Sequence, residues 1–147
     1  MNLTEKEIDD IGDEMKNYIY IRDLNVSKNK LPNIRGVENM DYIVRIDARE
    51  NEIREVELLN NPDKFKHLLY LYLSTNKIKK LPAMYANNLL ELHADGNNIT
   101  SCENFTGLKN LKLITLNQNK LKDCQGLRNC PKLELLRLVI IYCPIIS

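Results

Sequence analysis

The chain has 147 residues, 44% apolar and 28% charged, with 21 basic against 20 acidic side chains and a formal net charge of +1. These values suit one globular domain and exclude collagen-like, mucin-like and acidic disordered classes. The near-neutral balance also argues against a protein whose main task is to grip phosphate backbones.

The chain opens MNLTEKEIDDIGDEMKN, which is acidic and lacks the long apolar core of a secretory signal. Thr4-Glu5-Lys6-Glu7 matches a helix capping box, and Ile8, Ile11 and Met15 follow at helical spacing. The pattern predicts a short amphipathic helix over 4–16, inside a capping segment of residues 1–17. Gly12 is its weak point. Asp9, Asp10, Asp13 and Glu14 fall on its outer face, either a solvated surface or a docking surface for a basic partner.

From residue 18 to the end the pattern L-x-x-L-x-L-x-x-N-x-L recurs. The first copy runs Ile21, Leu24, Val26, Asn29, Leu31, and the second Ile43, Ile46, Ala48, Asn51, Ile53. The third runs Leu68, Leu71, Leu73, Asn76, Ile78, and the fourth Leu89, Leu92, Ala94, Asn97, Ile99. The fifth is Leu111, Ile114, Leu116, Asn119, Leu121. A sixth starts at Leu133, Leu136 and Leu138, then places Ile141 where the asparagine belongs and Cys143 at the last apolar position. The asparagines lie 22, 25, 21 and 22 residues apart, a period too steady for chance.

The period has a physical reading. Apolar residues that alternate face one side of a strand. The asparagine marks where the chain leaves that strand, and its amide is suited to satisfy the turn's backbone groups. Five such turns account for part of a high asparagine count of 19. Four of these asparagines also begin N-x-[ST] sequons, at Asn2, Asn25, Asn98 and Asn104, read as by-products of that abundance.

The third copy comes late because of the stretch LNNPDKFKH before Leu68. Pro62 suits the first turn of a short helix there, with Phe65 packing inward. A longer convex segment and a binding protrusion are both compatible with it. Cys102 and Cys124 stand where Ile34, Val56 and Leu81 stand in other copies, so they read as core thiols rather than a redox or metal pair. With Cys130 and Cys143 they form no CxxC, and His67 and His93 lack zinc-site spacing; no metal and no cofactor is expected. The chain ends RLVIIYCPIIS, which is apolar and abrupt. Either further repeats are missing, or the end folds back, or a partner covers it.

The expected fold is an α/β repeat solenoid, a curved array of about five full repeats and one partial over residues 18–147, with a concave parallel sheet. Six strands give a face roughly 25 Å long, at about 4.8 Å per strand. Three columns of side chains point out of that face. The first is Asp23, Arg45, Tyr70, Glu91, Leu113, Leu135; the second Asn25, Asp47, Tyr72, His93, Thr115, Arg137. The third is Ser27, Arg49, Ser74, Asp95, Asn117, Val139. Tyr70 and Tyr72 fall side by side at mid-face beside Arg45, Arg49 and His93, and tyrosine and arginine are favoured hot-spot residues. The candidate partner-binding set is therefore Arg45, Asp47, Arg49, Tyr70, Tyr72, Glu91, His93 and Asp95. Packing of the tyrosines against same-face neighbours is the alternative reading. Lys77, Lys79, Lys80, Lys120 and Lys122 line one rim, either as a solvated edge or as a contact for an acidic tail or RNA.

No nucleophile elbow, P-loop, dinucleotide fingerprint or HExxH occurs, and the trio Glu91, His93 and Asp95 lacks a nucleophile. Catalysis is not expected.

The five complete copies resemble the leucine-rich-repeat superfamily, in the 22-residue subclass of intracellular proteins. That resemblance covers about residues 18–143 and implies a curved scaffold that binds proteins on its concave face. YIYIRDLNVSKNKL (from Tyr18) and LLELHADGNNIT (from Leu89) resemble a leucine-rich-repeat component of the radial spokes of cilia and flagella. This implies a cytoplasmic, axonemal protein that binds other spoke subunits. Two other relatives are similar: regulatory subunits of type-1 protein phosphatase, and the spliceosomal A-prime subunit, which binds an RNA-recognition-domain protein. The first has about twice the repeats found here, and the helical C-terminal cap of the second does not match RLVIIYCPIIS.

Overall fold

The computed structural model describes residues 1–102 and 108–138. Phe105, the sequon at Asn104, and the end of the sixth copy with Val139, Ile141 and Cys143 lie outside the described residues. Among the described residues, six three-residue strands form one parallel sheet in chain order: β1 (Asp23–Asn25), β2 (Arg45–Asp47), β3 (Tyr70–Tyr72), β4 (Glu91–His93), β5 (Leu113–Thr115) and β6 (Leu135–Arg137). Each strand is in register with the next. Leu24, Ile46, Leu71, Leu92, Ile114 and Leu136 form one row, and the first two outward columns pair residue by residue.

The returning halves of the repeats are short. Repeats of this length leave room for 3-10 turns, at Val37–Asn39, Glu57–Asn60 and Gln125–Asn129. The core is a single stack of the repeat's apolar positions. Leu24, Val26, Leu31 and Ile34 of the first repeat are buried, as are Ile43 at the start of the second and the matching positions through Leu116 in the fifth. Phe65 is buried at the end of the longer second connection. Pro62, however, does not open a helix: the 3-10 turn Glu57–Asn60 precedes it, and Pro62 occupies the turn that follows. Cys102 is wholly buried in the stack, while Cys124 is half-buried against it.

The N-terminal segment departs from expectation. Its short helix is a 3-10 turn, Asp13–Asn17, rather than a helix over 4–16. Residues 1–8 instead run alongside β1 as an irregular extra strand. Asn25 N–H donates to Met1 O at 2.9 Å, Leu3 N–H to Asn25 O at 2.7 Å, and Lys30 N–H to Ile8 O at 2.8 Å. The Thr4 hydroxyl donates to Asn2 Oδ1 at 2.7 Å rather than capping a helix with Glu7. A helix laid over the first repeat would leave the β1 edge with unpaired amides and carbonyls, whereas a paired segment satisfies them. Ile11 and Met15 still bury themselves against the first layer, as their spacing implied.

Candidate protein-binding face

Each turn asparagine bonds two layers. Asn76 Nδ2 donates to Leu73 O (3.0 Å) in its own repeat and to Ala48 O (2.9 Å) in the repeat before. Its Oδ1 accepts from Ile53 N–H at 3.0 Å, also in the repeat before. Asn51 does the same toward Val26 and Leu31, Asn97 toward Leu73 and Ile78, and Asn119 toward Ala94 and Ile99. Asn29 has no preceding repeat and uses the N-terminal segment, donating to Leu3 O and accepting from Lys6 and Ile8 N–H. All five asparagines are buried. The residue before each one is left-handed: Lys28, Glu50, Thr75, Gly96 and Gln118 have φ between 54° and 62°. This kink turns each chain off its strand and aims the amide inward.

With the layers fixed in this way, the outward columns form a continuous surface. The Arg45 guanidinium lies 5.2 Å over the Tyr70 ring, and the Arg49 guanidinium 5.6 Å over the Tyr72 ring. Arg49 also donates to Asp47 through Nε (2.9 Å) and Nη2 (2.6 Å). The bonds to Asp47 hold the Arg49 guanidinium charged, above its ordinary range. Arg45 stands 3.7 Å from Asp23. Tyr72 stacks on His93 with ring centroids 5.0 Å apart, and burial pushes its phenol upward. His93 faces Glu91 at 3.4 Å and the Thr115 hydroxyl at 3.3 Å. Thr115 donates to Asp95, which also accepts Asn117 N–H at 2.7 Å.

The eight residues expected at the site therefore share one face, but not one role. Asp47 is buried and committed to Arg49, and Asp95 is committed to Thr115 and Asn117, so these two carboxylates brace the surface. Arg45 and Arg49 are exposed on this face, and Tyr70, Tyr72, Glu91 and His93 are half-buried there. Their mutual contacts make a patch in which rings and guanidiniums are already paired, an arrangement that reduces the freedom a side chain gives up on binding.

Sequence reasoning missed a second aromatic feature on the rim that precedes the strands. Tyr20 stacks on Tyr42 at 5.6 Å and Tyr42 on His67 at 5.7 Å, all exposed. The signal was available, because each of the three residues immediately precedes the first apolar position of its repeat.

No family model matches the chain. Rat (Rattus norvegicus) lumican is 30% identical over 105 residues, which is 70% of this chain and 31% of lumican. Chicken (Gallus gallus) lumican is 32% identical over 105 residues, 69% of this chain and 31% of its own length. Human (Homo sapiens) leucine-rich repeat-containing protein 23 is 31% identical over 96 residues, 65% of this chain and 26% of its own. The chain thus spans about a third of the length of the lumicans it matches. Among solved structures, an internalin of Listeria monocytogenes superposes with a TM-score of 0.74 at 22% identity, over 90% of this chain and 39% of the internalin. A leucine-rich-repeat protein of Leptospira interrogans gives 0.68 at 23%, over 88% of this chain and 40% of its own. A plant peptide hormone receptor in complex with RGF2 gives 0.65 at 18%, over 86% of this chain and 22% of the receptor. These last three likenesses are of fold. With five matched copies of the repeat, six in-register strands and these relatives, the chain belongs to the leucine-rich-repeat superfamily.

Proposed function

We propose that this chain is a non-catalytic protein–protein interaction scaffold that engages a protein partner on the face of its parallel sheet. The observation that carries the reading is the preformed patch of Tyr70, Tyr72, Arg45, Arg49 and His93 at the middle of that face. Aromatic and arginine side chains near the centre of a surface are those on which interfaces concentrate their energy. The plant peptide hormone receptor that shares the fold forms a complex with RGF2, which agrees with a fold able to hold a polypeptide ligand.

Within that reading we assign the chain to the ciliary axoneme, as a radial spoke component that binds other spoke subunits. The support is the resemblance of the stretches that begin at Tyr18 and Leu89. No helix among the described residues is long and apolar enough to cross a membrane. Affinity purification from native ciliated cells, followed by mass spectrometry, tests both levels. Spoke subunits recovered from detergent-extracted axonemes support the assignment. Recovery of a phosphatase catalytic subunit, or of small nuclear ribonucleoprotein, replaces it while leaving the scaffold reading in place. Capture of no protein at all overturns both.

A further inference from the structure

Beside the sheet face, on the rim that precedes the strands, lies a surface hollow of about 320 Å³ between the His67 end of the aromatic ladder and the side chains of Asn88 and Asn110. Its floor is Val44, Leu69 and Leu90, and Arg22 and Lys66 complete its wall. Three further hollows on the surface each contain carboxylates, such as Asp41, Glu55 or Asp9. No carboxylate lines this one among the described residues. Arg22 and Lys66 make no ion pair among the described residues, whereas neighbouring Lys64 faces Asp41 and Arg45 faces Asp23.

The main chain adds to the bias. The Arg22 carbonyl accepts from Val44 and Arg45 N–H, and the Val44 carbonyl from Leu69 and Tyr70 N–H. The Leu69 carbonyl accepts from Leu90 and Glu91 N–H, and that of Leu90 from Lys112 and Leu113 N–H. Each floor carbonyl therefore has both lone pairs occupied and has nothing to offer a donor. Asn88 and Asn110 Nδ2 each spend one N–H, on Lys66 O and Asn87 O, and keep a second. The charged side chains beside the hollow, Arg22 and Lys66, are both cationic, and the lining asparagines add amide N–H groups over an apolar floor, so a ligand that brings acceptors and negative charge is the complementary one.

We propose that this hollow receives a carboxylate-bearing segment of a protein partner, with Arg22 and Lys66 as its charge contacts and the Tyr42–His67 stack as its wall. The proposal rests on the reading of the chain as a protein-binding scaffold. Single-stranded nucleic acid is the lesser fit. Its bases need ring faces to stack on, and in the Tyr20–Tyr42–His67 ladder the rings cover one another.

The test uses the full chain with fluorescein-labelled oligoglutamate as probe, read by anisotropy and by amide chemical shifts. The peptide should bind weakly, shift the Asn88 and Asn110 side-chain amides, and lose affinity about tenfold in Arg22→Glu/Lys66→Glu. Both positions are exposed, so the variant should keep the wild-type melting temperature; Arg22→Gln/Lys66→Gln is the milder control. Tyr70→Ala/Tyr72→Ala should bind the peptide like wild type, which separates this hollow from the sheet face. Three results overturn the proposal: undiminished binding to the charge-reversed variant, shifts centred on Lys77, Lys79 and Lys80, or oligouridylate binding more tightly at the hollow than oligoglutamate. If the peptide fails while Tyr70→Ala/Tyr72→Ala still abolishes capture of the native partner, the hollow is wrong and the scaffold reading stands.

Discussion

Arg49 lies over the ring of Tyr72 while its guanidinium grips the buried carboxylate of Asp47. These contacts together favour one placement of the arginine on the face. It presents a cation and a ring together, and Tyr72 in turn stacks on His93. Such a surface recognises by shape and by charge at defined points. Each cation–π contact adds about 0.5–1 kcal/mol at an exposed site.

Alanine at both Tyr70 and Tyr72 should weaken the partner recovered from native cells by more than about 1 kcal/mol, because truncating a central aromatic anchor removes a hot spot. The fold should survive, since both rings stand outside the core and are only partly buried. Calorimetric titration checks the first statement and a melting curve the second. Unchanged affinity would remove the patch from consideration.

The asparagine ladder sets a different expectation, about stability. Asn76→Ala strips partners from Ile53 N–H, Ala48 O and Leu73 O in a buried site. Each unsatisfied buried group costs about 1–3 kcal/mol, and water will reach some of them, so a loss of about 2–4 kcal/mol is expected. Urea unfolding of the variant measures it. A loss below about 1 kcal/mol would mean that the inter-repeat bonds are readily replaced.

The columns of the sheet face were legible because a strand period of two leaves no freedom. Once Leu24 and Leu71 point inward, Asp23, Tyr70 and Tyr72 must point outward, and the register confirms the rows. The asparagine positions were equally plain. That their amides also reach the previous layer was not, because that bond depends on the stacking distance and not on spacing within one repeat. The N-terminal segment misled for a comparable reason. Ile8, Ile11 and Met15 fit a helix locally, but an unpaired strand edge beside them offered Leu3 and Lys6 hydrogen bonds that no local pattern encodes. The roles of Asp47 and Asp95 also escaped sequence, since only the fold shows which carboxylates already have partners.

Removal of residues 1–8 should expose that edge. Asn25 N–H and Lys30 N–H would lose Met1 O and Ile8 O as acceptors, and Asn29 would lose three of its bonds. Hydrogen exchange at Asn25 and Lys30 should accelerate, with self-association rising through the open strand. Unaltered protection at both amides would show that the segment does not guard the edge.

The left-handed residues before the asparagines predict opposite signs for two exchanges. Thr75, a β-branched residue at φ 59°, occupies a conformation that such side chains rarely adopt, whereas Gly96 at φ 62° fills the equivalent place without strain. Thr75→Gly should therefore be neutral or stabilising, and Gly96→Ala destabilising by about 1 kcal/mol. A Cβ at Gly96 meets nothing closer than 3.6 Å, so the loss would come from the backbone and not from a clash. Paired denaturation curves compare the two, and a destabilised Thr75→Gly would contradict the assignment.

Cys102 supplies the pH dependence. Burial pushes its thiol up to about 12, while the unfolded chain returns it to roughly 8.5. The native state thus holds the proton where the unfolded state releases it. This stabilisation is complete below the unfolded thiol's range and is lost as pH climbs from there toward about 12. Stability should accordingly fall across the alkaline range, and the thiol should label slowly at neutral pH, since the thiolate is the reactive form. Cys102→Val places at this position the side chain that Val56 already supplies in the second repeat. The variant should fold and should lose the part of the alkaline slope owed to this thiol. Denaturant titrations from neutral to alkaline pH, run on both proteins, give that difference. Parallel slopes would mean that the buried thiol is not what alkali attacks.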